Sequence, residues 1–175
     1  MTESAVRRAG DIQLMIFDVD GILTDGRLYI SEQGEAMKAF HVHDGHGLKM
    51  LQEYGIGVGI LSSRSSAIVT RRAAELGIDL VLQGAADKGA AFARILQERR
   101  LAAGAVGFMG DDLVDLPVLT RCGFAATVPE APVAVRTRAH YVSVAAGGCG
   151  AAREVCEFIL RAQGRLEDAV SRYLA

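Results

Sequence analysis

Two near-continuous apolar runs, Q-L-M-I-F at 13–17 and A-V-G-F-M at 105–109, constrain this chain most. A strand with one wet face alternates apolar and polar residues. A run without alternation needs cover on both faces, as in a parallel sheet between two helical layers. Similar short runs recur at 56–61, 79–83, 124–127 and 140–144. Helical spacing lies between them. Residues 45–54 carry Leu48, Leu51 and Tyr54, 65–76 stop at Gly77, and 88–100 follow Asp87. Residues 112–121 end near Gly123, and 150–163 carry Val155, Phe158, Ile159 and Ala162 before Gly164. Glycine just past a helical pattern is a common stop. The alternation predicts an α/β fold: one doubly wound, mostly parallel sheet with helices on both faces. Residues 26–42 break the rhythm and read as a β-hairpin flap turning near Gln33-Gly34, while 164–175 reads as a short amphipathic tail carrying Leu166, Val170, Tyr173 and Leu174. Residues 1–175 are expected to form a single domain.

Composition narrows the class. The 175 residues are 50% hydrophobic and 23% charged, with 20 glycines and a net charge of −2. That describes a soluble globular chain with no electrostatic footprint for nucleic acid. The head, M-T-E-S-A-V-R-R-A-G-D, lacks the apolar core of a signal peptide. No apolar run approaches the ~18 residues of a membrane span, so a cytoplasmic location is expected. Cys122, Cys149 and Cys156 lack metal-ligand spacing and read as reduced, mostly buried thiols.

Ligands of open parallel sheets sit beyond the carboxyl ends of the strands. Asp18 and Asp20 follow the first predicted strand, and Ser62, Ser63 and Arg64 the second. Asp87-Lys88 follows the third and Gly110-Asp111-Asp112 the fourth, with Asp115 close behind. Two carboxylates one residue apart repel and resist burial unless a cation joins them. A calcium loop counted from Asp18 would need an acid at Ile22 and Glu at Tyr29, so that reading fails. Lys88 opens a predicted helix, where positive charge opposes the dipole, and local rules are broken in this way at functional sites.

These parts suit phosphoryl transfer through a carboxylate. A nucleophilic Asp attacks phosphorus, and Mg²⁺ screens the anions. Fixed donors and a cation stabilise the equatorial oxygens. A second acid protonates the leaving alkoxide and later activates water. Asp18 fits the nucleophile, Asp20 the acid/base, Ser62 the donor and Lys88 the cation. Asp18, Asp20 and Asp111 form the expected Mg²⁺ site. The Gly-x-Gly-x-Gly at 55–59 lies inside a strand pattern, which argues against dinucleotide binding. His41, His43 and His46 read as loop or substrate contacts rather than zinc ligands.

Asp18-Val19-Asp20-Gly21, Ser62, Lys88 and Gly110-Asp111-Asp112-x-x-Asp115 resemble, in order, the four motifs of the haloacid dehalogenase superfamily. Further stretches resemble its 3-deoxy-D-manno-octulosonate 8-phosphate phosphatase branch, which has sialic-acid 9-phosphate relatives. They are D-G-I-L-T-D-G, K-A-F-H-V-H-D-G-H-G, Q-G-A-A-D-K, G-D-D-L-V-D-L-P-V and G-G-C-G-A-A-R-E-V-C-E. The resemblance spans residues 12 to 163 and is most specific from Lys38 to Gly47. It implies a Mg²⁺-dependent sugar phosphatase of lipopolysaccharide precursor synthesis, with His41, His43, Asp44, Gly45, Lys49, Arg64 and Arg72 touching substrate. Ser63 and His43 depart from the branch, which usually has Gly at the first position and in many members Arg at the second.

The spacing from Asp20 to Ser62 and from Ser62 to Lys88 leaves no room for an inserted cap domain. A small-molecule site still needs walls. The resemblance implies a homotetramer in which neighbouring chains supply them through the 26–42 hairpin and the tail. Competing readings are a sialic-acid-type 9-phosphate phosphatase, a capless phosphatase of macromolecular phosphates, and a receiver-type signalling module. The receiver reading conflicts with the motif order.

Overall fold

The computed structural model describes residues 3–174. The chain runs α1 (Glu3–Gly10), β1 (Leu14–Phe17), β2 (Tyr29–Ser31), β3 (Gly34–Met37), α2 (Val42–Glu53) and β4 (Gly57–Leu61). It continues with α3 (Ala67–Glu75), β5 (Leu80–Leu82), α4 (Lys88–Arg99), β6 (Val106–Met109) and α5 (Leu116–Leu119). Then follow β7 (Phe124–Thr127), α6 (Val133–Arg136), β8 (Tyr141–Val142), α7 (Ala151–Ala162) and α8 (Leu166–Ser171).

Six strands form one sheet in the order β5-β4-β1-β6-β7-β8, every neighbouring pair parallel. The hairpin β2-β3 stands apart as a two-stranded antiparallel sheet. The crossovers carry helices to both faces, and no separate cap domain interrupts the unit. β1 is the pivot, and all four of its residues are buried. Phe17 sits level with Ile60 on one side and Met109 on the other. The chain steps from β1 to β4 in one direction and later to β6 in the other, so the strand order reverses beside β1, where open parallel sheets place their ligands.

Four boundaries differ from the sequence reading. Helix α1 was not foreseen, because its fully buried residues are only Ala5 and Ala9, with Val6 half-buried beside them. Gln163 fastens its end by donating to the Ala9 and Ile12 carbonyls at 3.4 and 2.9 Å. The short α6 was also not foreseen; its four residues are too few for a period to register. The predicted helix at 112–121 divides into a 3₁₀ turn, Leu113–Asp115, and α5, which starts at Pro117's only tolerable place, the first turn. Helix α2 starts at Val42 rather than 45. Of the three thiols, Cys122 and Cys156 are buried as expected, but Cys149 is exposed.

The tail folds against α2 of its own chain. Tyr173 Oη lies 2.8 Å from His46 Nε2, Tyr54 donates to Asp168 at 2.7 Å, and Arg172 pairs with Glu53 at 3.4 Å. No described helix is long and apolar enough to cross a membrane.

Candidate active site

Strand β1 delivers the first two carboxylates. The Asp18 amide continues the ladder onto the Met109 carbonyl at 2.9 Å, so the mouths of β1 and β6 are tied together. The chain then turns at once, because the Val19 carbonyl collects the amides of Ile22, Leu23 and Thr24. Gly21 sits inside this turn at φ +91°, where a Cβ would strike the Asp111 carboxylate. Glycine is required there for both reasons.

Asp18 is 7% exposed, and its Oδ1 lies 2.9 Å from Lys88 Nζ. Lys88 is the first residue of α4, after Asp87 has capped that helix by accepting from the Ala90 amide at 2.9 Å. Its ammonium is buried and also donates to Asp115 Oδ1 at 2.6 Å. Asp115 is fully buried, and its second oxygen accepts from the amides of Asp111 and Asp112 at 3.0 and 3.1 Å. Asp115 therefore shapes the loop after β6 and aims Lys88 at Asp18. Sequence reading left its role open, although the Gly-Asp-Asp-x-x-Asp spacing contained it.

One oxygen of Asp111 is buried with no protein partner. Oxygens of Asp18, Asp111 and Asp115 lie within 4.8 Å of one another. Burial, then the neighbouring acids, push Asp111 up to about 7. Burial and Asp115 likewise push Asp18 up to about 6, against the pull of Lys88. Burial works against the Lys88 charge, but Asp18 and Asp115 together hold it above the ordinary lysine value. Hard oxygen donors with an orphaned buried atom fit a divalent cation of the Mg²⁺ type.

Ser62 closes the other side. Its amide bonds to the Leu82 carbonyl at 2.9 Å, and its hydroxyl oxygen accepts from the Arg64 amide at 3.2 Å, which leaves the hydroxyl proton free to donate elsewhere. Asp20 lies across from it, held by Lys38 and, at 3.4 Å, by Arg64. Asp18, Asp20, Ser62, Arg64 and Lys88 line one cavity of about 190 Å³, with Ser63, Asp112 and Val114.

Relatives share this arrangement's sequence along nearly the whole chain. The 3-deoxy-D-manno-octulosonate 8-phosphate phosphatase KdsC of Escherichia coli K12 is 40% identical over 169 residues, covering 97% of this chain and 90% of the relative. The chain belongs to the 3-deoxy-D-manno-octulosonate 8-phosphate phosphatase family. This is a branch of the haloacid dehalogenase superfamily, and its members are phosphoric monoester hydrolases acting on a sugar phosphate. The Moraxella catarrhalis phosphatase of that name, in complex with magnesium, phosphate and KDO, superposes with a TM-score of 0.96 at 38% identity, covering 99% of each chain. A cobalt-bound Haemophilus influenzae phosphatase superposes at 0.92 and 40% identity, covering 96% of this chain and 99% of that one. No family profile matches.

In this phosphatase the four expected catalytic side chains and Arg64 line one cavity, and two of the three expected metal ligands, Asp18 and Asp111, share one acidic cluster. The Asp20 carboxylate pairs with Lys38 and Arg64, and among the described residues the third member of the cluster is Asp115, whose two oxygens are held by Lys88 and by the amides of Asp111 and Asp112. The other expected substrate contacts lie outside the cavity. Asp44 is buried, and its oxygens accept from the amides of Gly150 and Arg153 at 3.2 and 2.8 Å, so it caps α7. Gly45 leaves room for the Arg72 guanidinium, which lies 5.9 Å from the Phe40 ring centre. His41 precedes α2, its ring 5.1 Å from that of His43, and His43 and Lys49 are exposed. Lys38 and Glu35 were missed as site residues. A lysine ending a hairpin strand carries no local signal, since its partner Asp20 is 18 positions away.

Proposed function

We infer that the protein hydrolyses 3-deoxy-D-manno-octulosonate 8-phosphate to the free sugar acid and phosphate, with Mg²⁺, through a phosphoryl group carried on Asp18. The observation that carries this reading is the buried Lys88 shared by Asp18 and Asp115, beside the unpartnered oxygen of Asp111. Asp18 attacks phosphorus, and the bond to the sugar's terminal oxygen breaks. Asp20 gives that oxygen its proton. Ser62 donates to an equatorial phosphoryl oxygen, and Lys88 offsets the charge that collects there. Asp20, now ionised, takes a proton from water, which attacks phosphorus and frees Asp18. Asp18 and Asp111 would hold the divalent cation, which supplies charge neutralisation between phosphate and carboxylates.

A pathway to lipopolysaccharide precursors and a cytoplasmic location go with this reading. So does a single domain over 1–175 that works as a homotetramer. The hairpin supports self-association, since Leu28, Ile30 and Met37 are 49%, 63% and 57% exposed. A neighbouring chain's wall would then bring sugar to His41, His43, Asp44, Gly45, Lys49 and Arg72. Light scattering is expected to give four times the chain mass; a fully active monomer refutes this part.

The decisive assay is Mg²⁺-dependent phosphate release from the octulosonate 8-phosphate, a sialic-acid 9-phosphate, hexose phosphates and a phosphopeptide. Preference for the eight-carbon acid by at least about tenfold in kcat/KM, the low end for a difference of one carbon unit, is expected. Preference for the nine-carbon acid would keep the chemistry, replace the substrate and point to Ser63 and His43. Release from the phosphopeptide alone would overturn the small-molecule reading.

A further inference from the structure

The hairpin reaches into the catalytic centre through charge. Glu35 lies on β3, and Lys38 follows that strand. The Lys38 side chain is 2% exposed; it ion-pairs with Asp20 Oδ1 and, at 3.0 Å, with Glu35 Oε1. Arg64, from the loop after β4, bridges the same two acids from the other side, 3.4 Å from Asp20 Oδ2 and 3.7 Å from Glu35 Oε1. The second oxygen of Glu35 accepts from the Ser66 hydroxyl, on the residue that caps α3.

Two acids and two cations thus balance in a closed ring, and each oxygen of Asp20 is held by a different cation. The two cations are unequal. Arg64 is 45% exposed, makes the longer contacts and lines the cavity, so substrate can draw it away. Lys38 is enclosed and does not line the cavity. A buried ammonium cannot leave its carboxylates without an uncompensated charge.

We propose that Lys38, anchored by Glu35, is a positioning residue that holds Oδ1 of Asp20, so that Oδ2, released when substrate draws Arg64 away, takes up a proton from solvent and is aimed to deliver it to the leaving oxygen. The proposal rests on the phosphatase reading above and on Asp20 as its acid. Lys38 acts through Asp20 and needs no contact with substrate. The hairpin and the proton donor become one mechanical unit.

Leaving-group dependence tests this. An alkoxide must be protonated as it departs, whereas nitrophenolate leaves unaided. A misdirected Asp20 therefore slows the first turnover of an alkyl phosphate and spares the nitrophenolate burst from p-nitrophenyl phosphate. Lys38→Met is expected to slow rapid-quench first turnover of the octulosonate phosphate about 100-fold, the lower range for a general acid, and to lower the aryl burst less than about fivefold. KM should change little, and Lys38→Arg, which keeps the charge, should recover most of the rate. Equal loss on both substrates, or a change confined to KM, overturns the proposal.

If Lys38→Met does not fold, Glu35→Gln serves. It leaves Lys38 paired but unanchored, and the same contrast is expected at about tenfold on the alkyl ester; equal loss overturns the proposal here too. If the wild-type enzyme rejects the octulosonate phosphate but accepts another alkyl phosphate, the substrate assignment falls and that ester decides the role of Lys38. A wild-type enzyme that turns over no ester overturns both.

Discussion

Asp18→Asn is expected to reduce phosphate release by on the order of 10⁴-fold or more, the scale of losing a nucleophile, while making the metal-free protein more stable. The two effects share one cause. Asp18, Asp111 and Asp115 against Lys88 leave three negative charges to one positive, a formal charge of −2 when all are ionised. That surplus matches a divalent cation and is a liability without one. Burial and Asp115 raise Asp18 to about 6, so its ionised form is disfavoured in the folded chain. An amide keeps an acceptor for Lys88 and removes the charge.

The expected gain is on the order of 2 kcal/mol, or several degrees in Tm. Its pH dependence follows from the sign. An acid whose folded value is raised binds more protons folded than unfolded, so wild-type stability falls as pH rises from about 4 to about 7. The advantage of Asp18→Asn should therefore be small at pH 4 and complete by pH 8. Thermal melts in EDTA across that range check it. A variant that is inactive and also less stable at pH 8 would contradict the electrostatic account of the cluster.

Lys88→Met should move stability the other way. It removes the cation that Asp18 and Asp115 share and leaves three buried or half-buried acids facing one another. Breaking one side of a buried ion pair costs roughly 3–5 kcal/mol. For a chain of this size that is about 10 °C in Tm. Turnover should fall by about 10³-fold, as when an electrostatic stabiliser of the transition state is removed. Excess Mg²⁺ should recover much of the lost Tm, because the cluster then regains a cation. A variant with unchanged Tm, or one indifferent to the metal, would show that Lys88 does not neutralise this site.

The sheet was legible because its signal is local. Unalternating runs such as 14–17 specify a buried strand from four adjacent residues, and Asp18 and Ser62 follow such runs directly. Lys88 was legible for the same reason, as a cation in the wrong turn of a helix. What escaped depends on distant pairs. Lys38 is an ordinary hairpin lysine until Asp20 and Glu35 enclose it. The capping of α7 by Asp44 is equally hidden, because the amides it accepts from lie more than a hundred residues later. Helix α1 escaped because two buried alanines and a half-buried valine are too small a face to show a period.

The place of β1 in the middle of the sheet has a consequence for biosynthesis. Asp18 and Asp20 leave the ribosome before the strands that flank them, since β1 can be flanked only after residues 57–61 and 106–109 have followed. The counter-charge arrives at residue 88, and the loop-shaping acid at 115. Until then the nascent chain carries a reactive carboxylate with no cation and no walls. Its α2 face also waits for α7, which begins at Ala151. Non-local pairings of this kind fold late. A chain cut short before residue 115 therefore carries the nucleophile without the full set of partners that the folded site gives it.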